Sequence, residues 1–328
     1  AMRMRLIRAL KDMSPLRQRL FQMAVDLGVK KAKGERLSFV ERLKDWIAEK
    51  IIRQGRVKQR FGGRLKALVS GGAALNEQVG LYFKAIGVEI LQGYGQTEAA
   101  PLISVNRRHN STLESVGPAV KGVEVKIADD GEILVRGELV MMGYWQNEEA
   151  TKATVSKDGW LHTGDIGLID DQERIVITDR KKDIIVLSGG DNVSPARVEG
   201  FLTLEAEIGQ AMVLGDKQPH VIALLVPDPD FLAEWKKETG KTGGLDELAS
   251  DSDLNKVLGE AVERVNASLS NLERVRKFMI ADQEFTTDNE LMTPSMKIRR
   301  HKILAIYGEQ LNSLFPVKNK KDIKTTPG

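Results

Sequence analysis

Residues 179–195, DRKKDIIVLSGGDNVSP, divide the chain into a larger front part and a smaller back part. The stretch opens with five consecutive charged residues, 179–183, between two apolar segments typical of strands. Ser194 and Pro195 at its end are residue types that begin a helix, as N-cap and first helical position. Such a charged run indicates an exposed crossing between two domains or, as the alternative, a solvated turn.

The composition predicts a globular protein of about two domains. The 328 residues are 41% hydrophobic and 29% charged, and they contain no cysteine, which excludes disulfides and a thiolate nucleophile among them. The apolar runs are short, and no charged and then apolar leader opens the chain. We therefore expect no transmembrane helix, no signal peptide and a cytoplasmic location.

The net charge of +3 is unevenly distributed, because residues 1–60 hold 17 Lys and Arg against 6 Asp and Glu. The remaining residues carry 32 basic and 40 acidic side chains, a net charge of −8. The basic segment is interpreted as a solvated helical surface, as a surface that contacts an anionic membrane, or as a site for a polyphosphate ligand.

Two amphipathic helices are predicted in this basic segment. Ser14 and Pro15 begin the first, and Gly28 is its expected C-cap. Ser38 and Glu41 form a capping box for the second. The predicted apolar face of the second helix consists of Val40, Leu43, Ile47 and Ile51. Both helices are expected to cover one side of the sheet that follows.

Residues 64–115 have the pattern of a strand–loop–helix–strand unit in a parallel sheet. The strands are predicted at 65–70 and 88–92, with a helix at 76–86 and the loop GGAAL between the first strand and the helix. Parallel units bind ligands at the carboxyl ends of their strands. The segment SGGAAL matches no phosphate-binding fingerprint, and a tight turn explains its glycines equally well.

The second strand leads directly into the segment GYGQTE at residues 93–98. Glycines allow a ligand to approach the backbone, and Tyr94 offers a flat face for stacking. Thr97 supplies a hydroxyl, and Glu98 supplies a carboxylate suited to Mg²⁺. The segment is either a nucleotide site or an ordinary turn, and its place after a parallel strand favours the site.

Residues 116–181 are predicted to be β-rich. Alternating apolar residues flank hairpin signals at Asp130-Gly131 and near Asp170, and the segment WLHTGD lies between the hairpins. In it, Asp165 is suited to accept ribose hydroxyls or, alternatively, to cap a turn. For His162 a structural role is favoured over a catalytic one.

The back part has the pattern of a small α+β domain. Helices are predicted at 195–204 and 254–269, strands at 210–214, 221–226 and 277–280, and a flexible surface loop in the polar stretch 241–253. The segment TPSMKIRR at 293–300 precedes a basic helix. By composition alone, Lys297 within it is a solvated surface lysine.

Six motifs in a fixed order make the sequence resemble the adenylate-forming acyl-CoA synthetases, and most of all their long-chain fatty acid branch. The motifs are SGGAAL, GYGQTE, GEILVRG with a following GYW, WLHTGD, DRKKDIIVLSGGDNVSP and TPSMKIRR, and they extend over about residues 64–300. The resemblance implies an α/β and α+β fold: a truncated large domain over residues 1–181, formed by a βαβ unit and a β-hairpin or barrel subdomain, and a small mobile domain over 182–328.

The resemblance also implies site residues. The expected nucleotide-binding residues are Gly71, Gly72, Ala73, Gly93, Tyr94, Gly95, Thr97, Asp165 and Arg180. Tyr94 would stack on adenine, and Asp165 and Arg180 would bind the ribose hydroxyls. Thr97 would contact the α-phosphate and Glu98 would hold Mg²⁺, so both are expected to take part in catalysis.

In the back part, the resemblance assigns roles to four further residues. Lys297 would enter the active site as a catalytic lysine that bridges the substrate carboxylate and the phosphate. Lys182 would be the hinge about which the small domain rotates, and Gly189 and Gly190 would line the CoA tunnel. Many relatives have glycine where this chain has Met296, which leaves the path of that loop open.

The resemblance implies a long-chain fatty acid:CoA ligase that uses ATP, CoA and Mg²⁺ and releases AMP, with no tightly bound cofactor and no nucleic acid partner. The family's Ser/Thr/Gly-rich phosphate loop is missing, since residues 1–60 contain no threonine and three scattered glycines. We therefore expect a fragment that is inactive alone. The alternatives are a ligase for aryl or amino acids and a non-catalytic ligand-binding relative. Peripheral membrane contact through the basic helices is a further hypothesis.

Overall fold

The computed structural model describes residues 14–316, except for the side chains of residues 54–56. The chain divides into two compact units with their boundary between Lys182 and Asp183. Residues 1–13 of the predicted basic segment and residues 317–328 of the predicted small domain lie outside the described residues. Each unit is described by itself below.

The first unit begins with helices α1 (Pro15–Ala32) and α2 (Phe39–Ala48). The backbone continues from α2 as a π-helical segment, Glu49–Val57, and ends in one short α-helical turn, α3 (Lys58–Arg60). The capping box of α2 is confirmed: the Glu41 N–H donates to Ser38 Oγ over 3.3 Å, and the Ser38 N–H donates to Glu41 Oε2 over 2.8 Å.

The prediction that Gly28 ends the first helix is wrong, because α1 continues for four more residues. Gly28 lies instead where α1 crosses helix α4 (Glu77–Ala85). A Cβ atom at this position would lie 2.4 Å from the carbonyl oxygen of Ala85. The glycine is therefore required by the close approach of two backbones and not by a helix end.

The predicted orientation of α2 is also wrong. The predicted apolar residues face solvent: Val40, Leu43 and Ile47 of α2 are exposed, and so is Ile51 of the π-helical segment. Phe39 and Trp46 of α2 are exposed as well. The opposite face is buried through Ala48, Ile52 and the polar pair Asp45 and Arg53. That polar pair can be buried because its two charges are matched.

Arg53 links three helices through its guanidinium group. It donates to Asp45 Oδ1 over 2.6 Å and to the carbonyl oxygens of Ala85 and Ala24 over 2.7 and 2.9 Å. Glu49 Oε2 accepts a further hydrogen bond of 3.1 Å. Because a buried guanidinium needs such partners, these contacts decide which face of α2 packs inward.

The predicted strand–loop–helix–strand unit is present. Strands β1 (Leu68–Ser70) and β2 (Ile90–Gly95) are parallel and are connected by α4, whose N-cap is Asn76. Strand β3 (Leu102–Val105) pairs antiparallel with the other edge of β2. Strand β2 is longer than predicted, since it includes all of Gly93, Tyr94 and Gly95.

Both predicted hairpins are confirmed in an antiparallel sheet of four strands. The strands are β4 (Glu124–Ile127), β5 (Glu132–Arg136), β6 (Leu161–Ile169) and β7 (Ile175–Arg180), in that spatial order, and helix α5 (Glu148–Thr154) lies between β5 and β6 in sequence. Buried Ile133, Val135 and Leu161 share a core with Tyr94 and Ile103. This sheet therefore packs against the end of the βαβ unit.

The second unit is a small α+β domain around the three-stranded sheet β10-β11-β12. Its elements are β8 (Ile185–Val186), β9 (Asn192–Val193), α6 (Pro195–Leu202), β10 (Ile208–Leu214), β11 (Val221–Pro227), α7 (Pro229–Thr239), α8 (Leu245–Leu248), α9 (Ser252–Asn266), β12 (Val275–Ile280) and α10 (Arg300–Ser313). Every residue of the central strand β11 is buried. Across residues 14–316 no helix has the length and apolar character needed to cross a bilayer.

The predicted flexible loop at 241–253 is instead well packed. It contains the short helix α8, whose Leu248 is buried in the core of the unit. Lys241 Nζ lies 2.5 Å from Asp251 Oδ2 and 2.7 Å from Asp253 Oδ2. The polar composition of the segment favours flexibility, but one buried leucine and two ion pairs hold it in place.

Candidate functional site

Two glycine-bearing segments meet at the carboxyl edge of the parallel strands. The register pairs Ser70 with Gln92, so Gly71 follows β1 beside Gly93 of β2. A Cβ atom on Gly71 would lie 3.2 Å from the Gly93 carbonyl oxygen. The predicted loop residues Gly71, Gly72 and Ala73 are all exposed there. The edge is therefore open to a ligand on the side where the sequence places it.

Gly95 is required by the way the chain turns after β2. A Cβ atom on it would lie 1.6 Å from the carbonyl oxygen of Pro101, a position that no side chain can occupy. The chain then forms one 3₁₀ turn, Thr97–Ala99, in which Thr97 is exposed and Glu98 half-buried. The turn thus presents the hydroxyl and the carboxylate side by side.

Tyr94, Asp165 and Arg180 come together from three different strands. The Tyr94 hydroxyl donates to Asp165 Oδ2 over 2.6 Å, and Arg180 Nε lies 3.1 Å from Asp165 Oδ1. Asp165 and Arg180 are direct cross-strand partners on β6 and β7. The structure thus joins three of the predicted nucleotide residues in one hydrogen-bonded cluster.

The Tyr94 phenol remains neutral throughout the ordinary pH range. Burial raises its pKa, and the neighbouring Asp165 carboxylate raises the pKa further. Only 8% of the residue is exposed. A neutral phenol beside a carboxylate acts as a hydrogen-bond donor, which is the role of Tyr94 toward Asp165.

Tyr144 contacts the predicted metal ligand, a contact that the sequence did not indicate. Its hydroxyl donates to Glu98 Oε1 over 2.8 Å, and the Met141 N–H donates to the Glu98 carbonyl oxygen over 2.9 Å. Burial raises the pKa of Tyr144, and the Glu98 carboxylate acts in the same direction. The only signal in the sequence was the motif GYW, which carried no assigned role.

Glu132 is a second residue that sequence reasoning missed. It is 5% exposed, and its carboxylate accepts hydrogen bonds from the Gly164 N–H over 2.9 Å and from Lys181 Nζ over 3.0 Å. His162 Nδ1 lies 3.2 Å from the same carboxylate, in keeping with the structural role expected for this histidine. Burial alone would raise the pKa of Glu132, but these partners lower it.

The Glu132 contacts hold the backbone next to two predicted ribose ligands. Gly164 precedes Asp165, and the Lys181 N–H that follows Arg180 donates to the Gly164 carbonyl oxygen over 2.9 Å. The buried carboxylate thus fixes β6 and β7 where their polar side chains must meet. Its signal in sequence is the glutamate of GEILVRG, which reads as an ordinary hairpin residue.

The donor set for Mg²⁺ is a single carboxylate. Within the described part of the chain, no group of three or more His, Cys, Asp or Glu is arranged to hold a metal ion. Mg²⁺ is often bound by one or two carboxylates together with the phosphates of its nucleotide, so Glu98 fits a site that the substrate completes. A metal cage made by the protein alone does not fit residues 14–316.

The other predicted site residues lie at the boundary between the two units and in two turns of the second unit. Lys182 is exposed and is the last residue of the first unit. Gly189 and Gly190 are exposed in a tight turn closed by the Gly190 N–H, which donates to the Leu187 carbonyl oxygen over 2.9 Å. Lys297 is exposed near the end of a narrow hairpin.

The hairpin that carries Lys297 has an ordered backbone. The Thr293 N–H donates to the Lys297 carbonyl oxygen over 2.8 Å, and the Lys297 N–H donates to Thr293 Oγ1 over 3.0 Å. Met296 adopts a positive φ of 62°, the left-handed conformation that glycine adopts at least cost. The position thus retains the conformation of a glycine turn although the residue is methionine.

Comparison with known proteins assigns both units. The family model for AMP-binding enzymes matches residues 19–145, and the model for the AMP-binding enzyme C-terminal domain matches residues 182–318. The adenylation domain of carboxylic acid reductase from Segniliparus rugosus, solved with AMP and a carboxylic acid, superimposes with a TM-score of 0.65 at 22% identity and covers 90% of this chain and 45% of its own. This likeness shows the fold: an α/β large-domain part and a small C-terminal domain.

The chain belongs to the AMP-binding enzymes, the adenylate-forming family. Within it, the chain is similar to long-chain fatty acid:CoA ligases. It is 38% identical over 262 residues to the Long-chain-fatty-acid–CoA ligase FadD15 of Mycobacterium tuberculosis, covering 79% of this chain and 44% of that protein. It is 30% identical over 275 residues to Long-chain-fatty-acid–CoA ligase 1 of Cavia porcellus, covering 79% and 39%. The chain thus spans less than half the length of these relatives.

Proposed function

We propose that the protein to which these residues belong is an AMP-forming long-chain fatty acid:CoA ligase. The observation that carries the proposal is the cluster of Tyr94, Asp165 and Arg180 at the carboxyl edge of the parallel strands, next to Thr97 and Glu98. The similarity to fatty acid:CoA ligases supports the acid and the thiol as substrates. ATP is the nucleotide substrate.

In the first step, a fatty acid carboxylate oxygen attacks the α-phosphorus of ATP. The bond from this phosphorus to the oxygen shared with the β-phosphate breaks, and pyrophosphate leaves with the bonding electrons. Tyr94 stacks on adenine, Asp165 and Arg180 bind the ribose hydroxyls, and Gly71, Gly72 and Ala73 lie beside the adenine and acyl groups. These contacts orient the α-phosphate for attack.

Charge that develops during this attack is stabilised by three side chains. Thr97 donates to the α-phosphate, and Lys297 bridges the carboxylate and the phosphate as a point cation. Glu98 would hold Mg²⁺, which would supply positive charge against the phosphate oxygens. The Tyr144 hydroxyl donates to Glu98 Oε1 and so helps to orient the carboxylate that would hold the metal.

In the second step, the CoA thiolate attacks the acyl carbonyl carbon. The bond from that carbon to the AMP oxygen breaks, so AMP leaves and the thioester remains. The small domain rotates about Lys182 between the steps, which withdraws Lys297 and brings Gly189 and Gly190 to the pantetheine arm. Gly189, Gly190 and Lys297 are all exposed, and this accessibility supports these roles.

The test of the proposal is fatty-acid-dependent exchange of pyrophosphate into ATP. Exchange is expected with long-chain acids in the whole protein, and little exchange in residues 1–328 alone, since these residues contain no phosphate loop. Aryl and amino acids should compete weakly. Exchange with those acids in place of fatty acids would favour the other ligase class, and silence with every acid would favour a non-catalytic ligand-binding protein.

Substitution of Lys297 tests the assigned chemistry. Lys297→Ala in the whole protein should slow adenylation at least a hundredfold, on the order expected for removal of one charge-stabilising group. The control is Lys237→Ala on α7, an equally exposed lysine far from the hairpin in sequence. If Lys297→Ala adenylates as fast as the control, the proposed role of the lysine is wrong.

We also propose peripheral contact with an anionic membrane surface through α2. Phe39 and Trp46 are 84% and 60% exposed beside Leu43 and Ile47, and residues 1–60 carry 17 basic against 6 acidic side chains. An apolar face bordered by cations is typical of helices that lie in a bilayer interface. Co-sedimentation with vesicles that contain phosphatidylserine should exceed that with neutral vesicles, and equal co-sedimentation would contradict the contact.

A further inference from the structure

Arg300 is held on both sides by the core of the second unit. Its Nη2 donates to Glu199 Oε1 over 2.6 Å, and its Nη1 donates to the carbonyl oxygen of Val213 over 3.0 Å. Glu199 Oε1 also accepts from the Val213 N–H over 2.7 Å. One strand residue, one carboxylate and one guanidinium thus form a closed triangle of hydrogen bonds.

The two ends of this ion pair belong to helices that begin just after the two functional turns. Arg300 is the first residue of α10 and lies three residues beyond Lys297. Glu199 lies in α6, which starts at Pro195 directly after β9. We call residues 292–298 the Lys297 hairpin and residues 187–191 the glycine turn.

The base of the Lys297 hairpin is anchored in the core, because Met292 is buried there and Ile298 packs against the same cluster. Residues 294–297 are exposed, and the hairpin is closed by its own hydrogen bonds and by the bridge of Met292 and Ile298. The Arg299 N–H donates to the Leu291 carbonyl oxygen over 2.8 Å, and the chain then reaches Arg300. Arg300 therefore provides a polar anchor where the chain leaves the hairpin, next to the apolar anchor at the hairpin base.

The glycine turn is anchored at one end by buried Leu187 and leads at the other end toward α6. Two hydrogen bonds lie within the turn. The Leu187 N–H donates to the Asp191 carbonyl oxygen over 2.9 Å, and the Gly190 N–H donates to the Leu187 carbonyl oxygen. The Ser188 N–H donates to the Gln218 carbonyl oxygen over 2.9 Å. Beyond the turn, the chain enters α6 through Ser194, whose Oγ accepts from the Arg197 N–H.

We propose that Glu199 and Arg300 are positioning residues that hold both functional turns of the small domain through one shared ion pair. The inference rests on the proposed function, which assigns the Lys297 hairpin to adenylation and the glycine turn to thioester formation. Both half-reactions then depend on a pair that touches neither substrate. An Arg is suited to this role because its planar group binds a carboxylate and a carbonyl at once.

The pair is more buried than the ion pairs that Arg264 makes in the same unit. The side chains of Arg300 and Glu199 are 25% and 14% exposed. Arg264 has two carboxylate partners, Glu205 and Glu207, at 2.6 and 2.7 Å, but its own side chain is 49% exposed. Because exposed pairs contribute little, Arg264→Met is a matched control that removes one arginine and two ion pairs.

The variants are Arg300→Met, Glu199→Gln and Arg300→Lys. Amide hydrogen exchange is measured in residues 1–328 at Met296 and Lys297 of the hairpin and at Leu187 and Gly190 of the turn. Loss of a charged hydrogen bond predicts exchange on the order of tenfold faster at both sites, and Arg264→Met should change neither. Arg300→Lys retains the charge and should recover part of the protection.

The same variants are then assayed in the whole protein for each half-reaction. Pyrophosphate exchange and CoA-dependent turnover of supplied acyl-adenylate should both fall on the order of tenfold in kcat, with the KM values for ATP and CoA unchanged. If Arg300→Met unfolds the unit, the isosteric Glu199→Gln provides the test.

Faster exchange at only one of the two sites, or an equal effect of Arg264→Met, would overturn the inference. Failure of the proposed function is separate: it would appear as unimpaired adenylation in Lys297→Ala, whatever the exchange rates show.

Discussion

The hydroxyl of Tyr94 lies 2.6 Å from Oδ2 of Asp165, although 71 residues separate the two in sequence. Each residue is proposed to bind a different part of one nucleotide, the adenine ring and the ribose. Arg180 takes the other oxygen of the same carboxylate. The carboxylate proposed to bind ribose is therefore held on one oxygen by the Tyr94 hydroxyl and on the other by Arg180.

Two substitutions of Tyr94 should distinguish the role of its aromatic ring from the role of its hydroxyl. Tyr94→Phe keeps the stacking face and frees Asp165, so AMP affinity should change less than about threefold, while the lost bond destabilises the first unit by about 1–3 kcal/mol. Tyr94→Ala removes the ring and should weaken AMP binding at least tenfold, on the order of the stacking energy of one base.

Titration calorimetry with AMP and urea unfolding of the whole protein measure the two effects. The control is Tyr307→Phe, which removes a hydrogen bond to Asp282 in the second unit and should leave AMP binding unchanged. If Tyr94→Phe and Tyr94→Ala bind AMP equally, the ring does not stack on the base.

The pair of Asp45 and Arg53 should make the helical segment sensitive to acid. Burial alone would raise the pKa of Asp45, but hydrogen bonds and charge from Arg53 lower it below the ordinary 3.8. A carboxyl whose pKa is lowered on folding stabilises the fold above its unfolded pKa. This contribution should be complete above about pH 5 and lost as the pH falls through the lowered value.

Exchange at the amides of Ile86 and Val88, next to the Arg53 contact with Ala85, reports this stability. Asp45→Asn should remove the pH-dependent part. Arg53→Met at pH 7 should cost about 3–5 kcal/mol, because it removes the buried partner of Asp45 and leaves only a 3.4 Å contact with the exposed Lys31. Arg108→Met breaks an exposed pair with Glu89 and should cost less than about 1 kcal/mol. Equal costs for the two arginines would contradict the structural role of Arg53.

Met296 should respond in opposite directions to glycine and to a β-branched residue. Its positive φ costs a non-glycine residue about 1–2 kcal/mol, and its side chain is 69% exposed, so little packing is lost on truncation. Met296→Gly should therefore leave stability unchanged or raise it by up to about 1 kcal/mol. Met296→Val should lower it by about 1 kcal/mol or more.

Urea unfolding of the second unit, followed by Trp235 fluorescence, measures these changes. Ser295→Gly is the control, since Ser295 has no positive φ and glycine there should only destabilise. Equal effects of glycine at the two neighbouring positions would show that the turn at Met296 carries no strain.

Features encoded by neighbouring residues were predictable from the sequence. The capping box of Ser38 and Glu41, the hairpin at Asp130-Gly131 and the βαβ unit depend on short-range patterns, and the structure confirms them. The buried face of α2 was not predictable, because it depends on Arg53 reaching a carbonyl 32 residues away. Hydrophobic periodicity alone indicated the opposite face.

The candidate site also has some features that the sequence predicts and others that it does not. The family resemblance assigns roles to Tyr94, Glu98, Asp165 and Arg180, and these roles stay predictions, although the structure brings Tyr94, Asp165 and Arg180 together. The motifs gave no sign that Tyr144 holds Glu98 across 46 residues or that Glu132 holds Gly164 across 32. Such supporting contacts arise only when distant strands pair, so the residues that make them lack a local signature.

A comparison of two helical glycines should show whether the crossing of α1 and α4 requires Gly28. A Cβ atom at Gly28 would meet the backbone of Ala85 at 2.4 to 2.8 Å, and backbone cannot rotate away as a side chain can. Gly308, in the interior of α10, would place its Cβ in open space. Alanine favours helix interiors over glycine by about 1 kcal/mol, so Gly308→Ala should stabilise its unit by about 0.5–1 kcal/mol. Gly28→Ala should instead cost about 1–3 kcal/mol through forced separation of the helices. Urea unfolding of each variant measures both values, and a stabilising Gly28→Ala would mean that α1 and α4 do not cross as closely in solution as they do here.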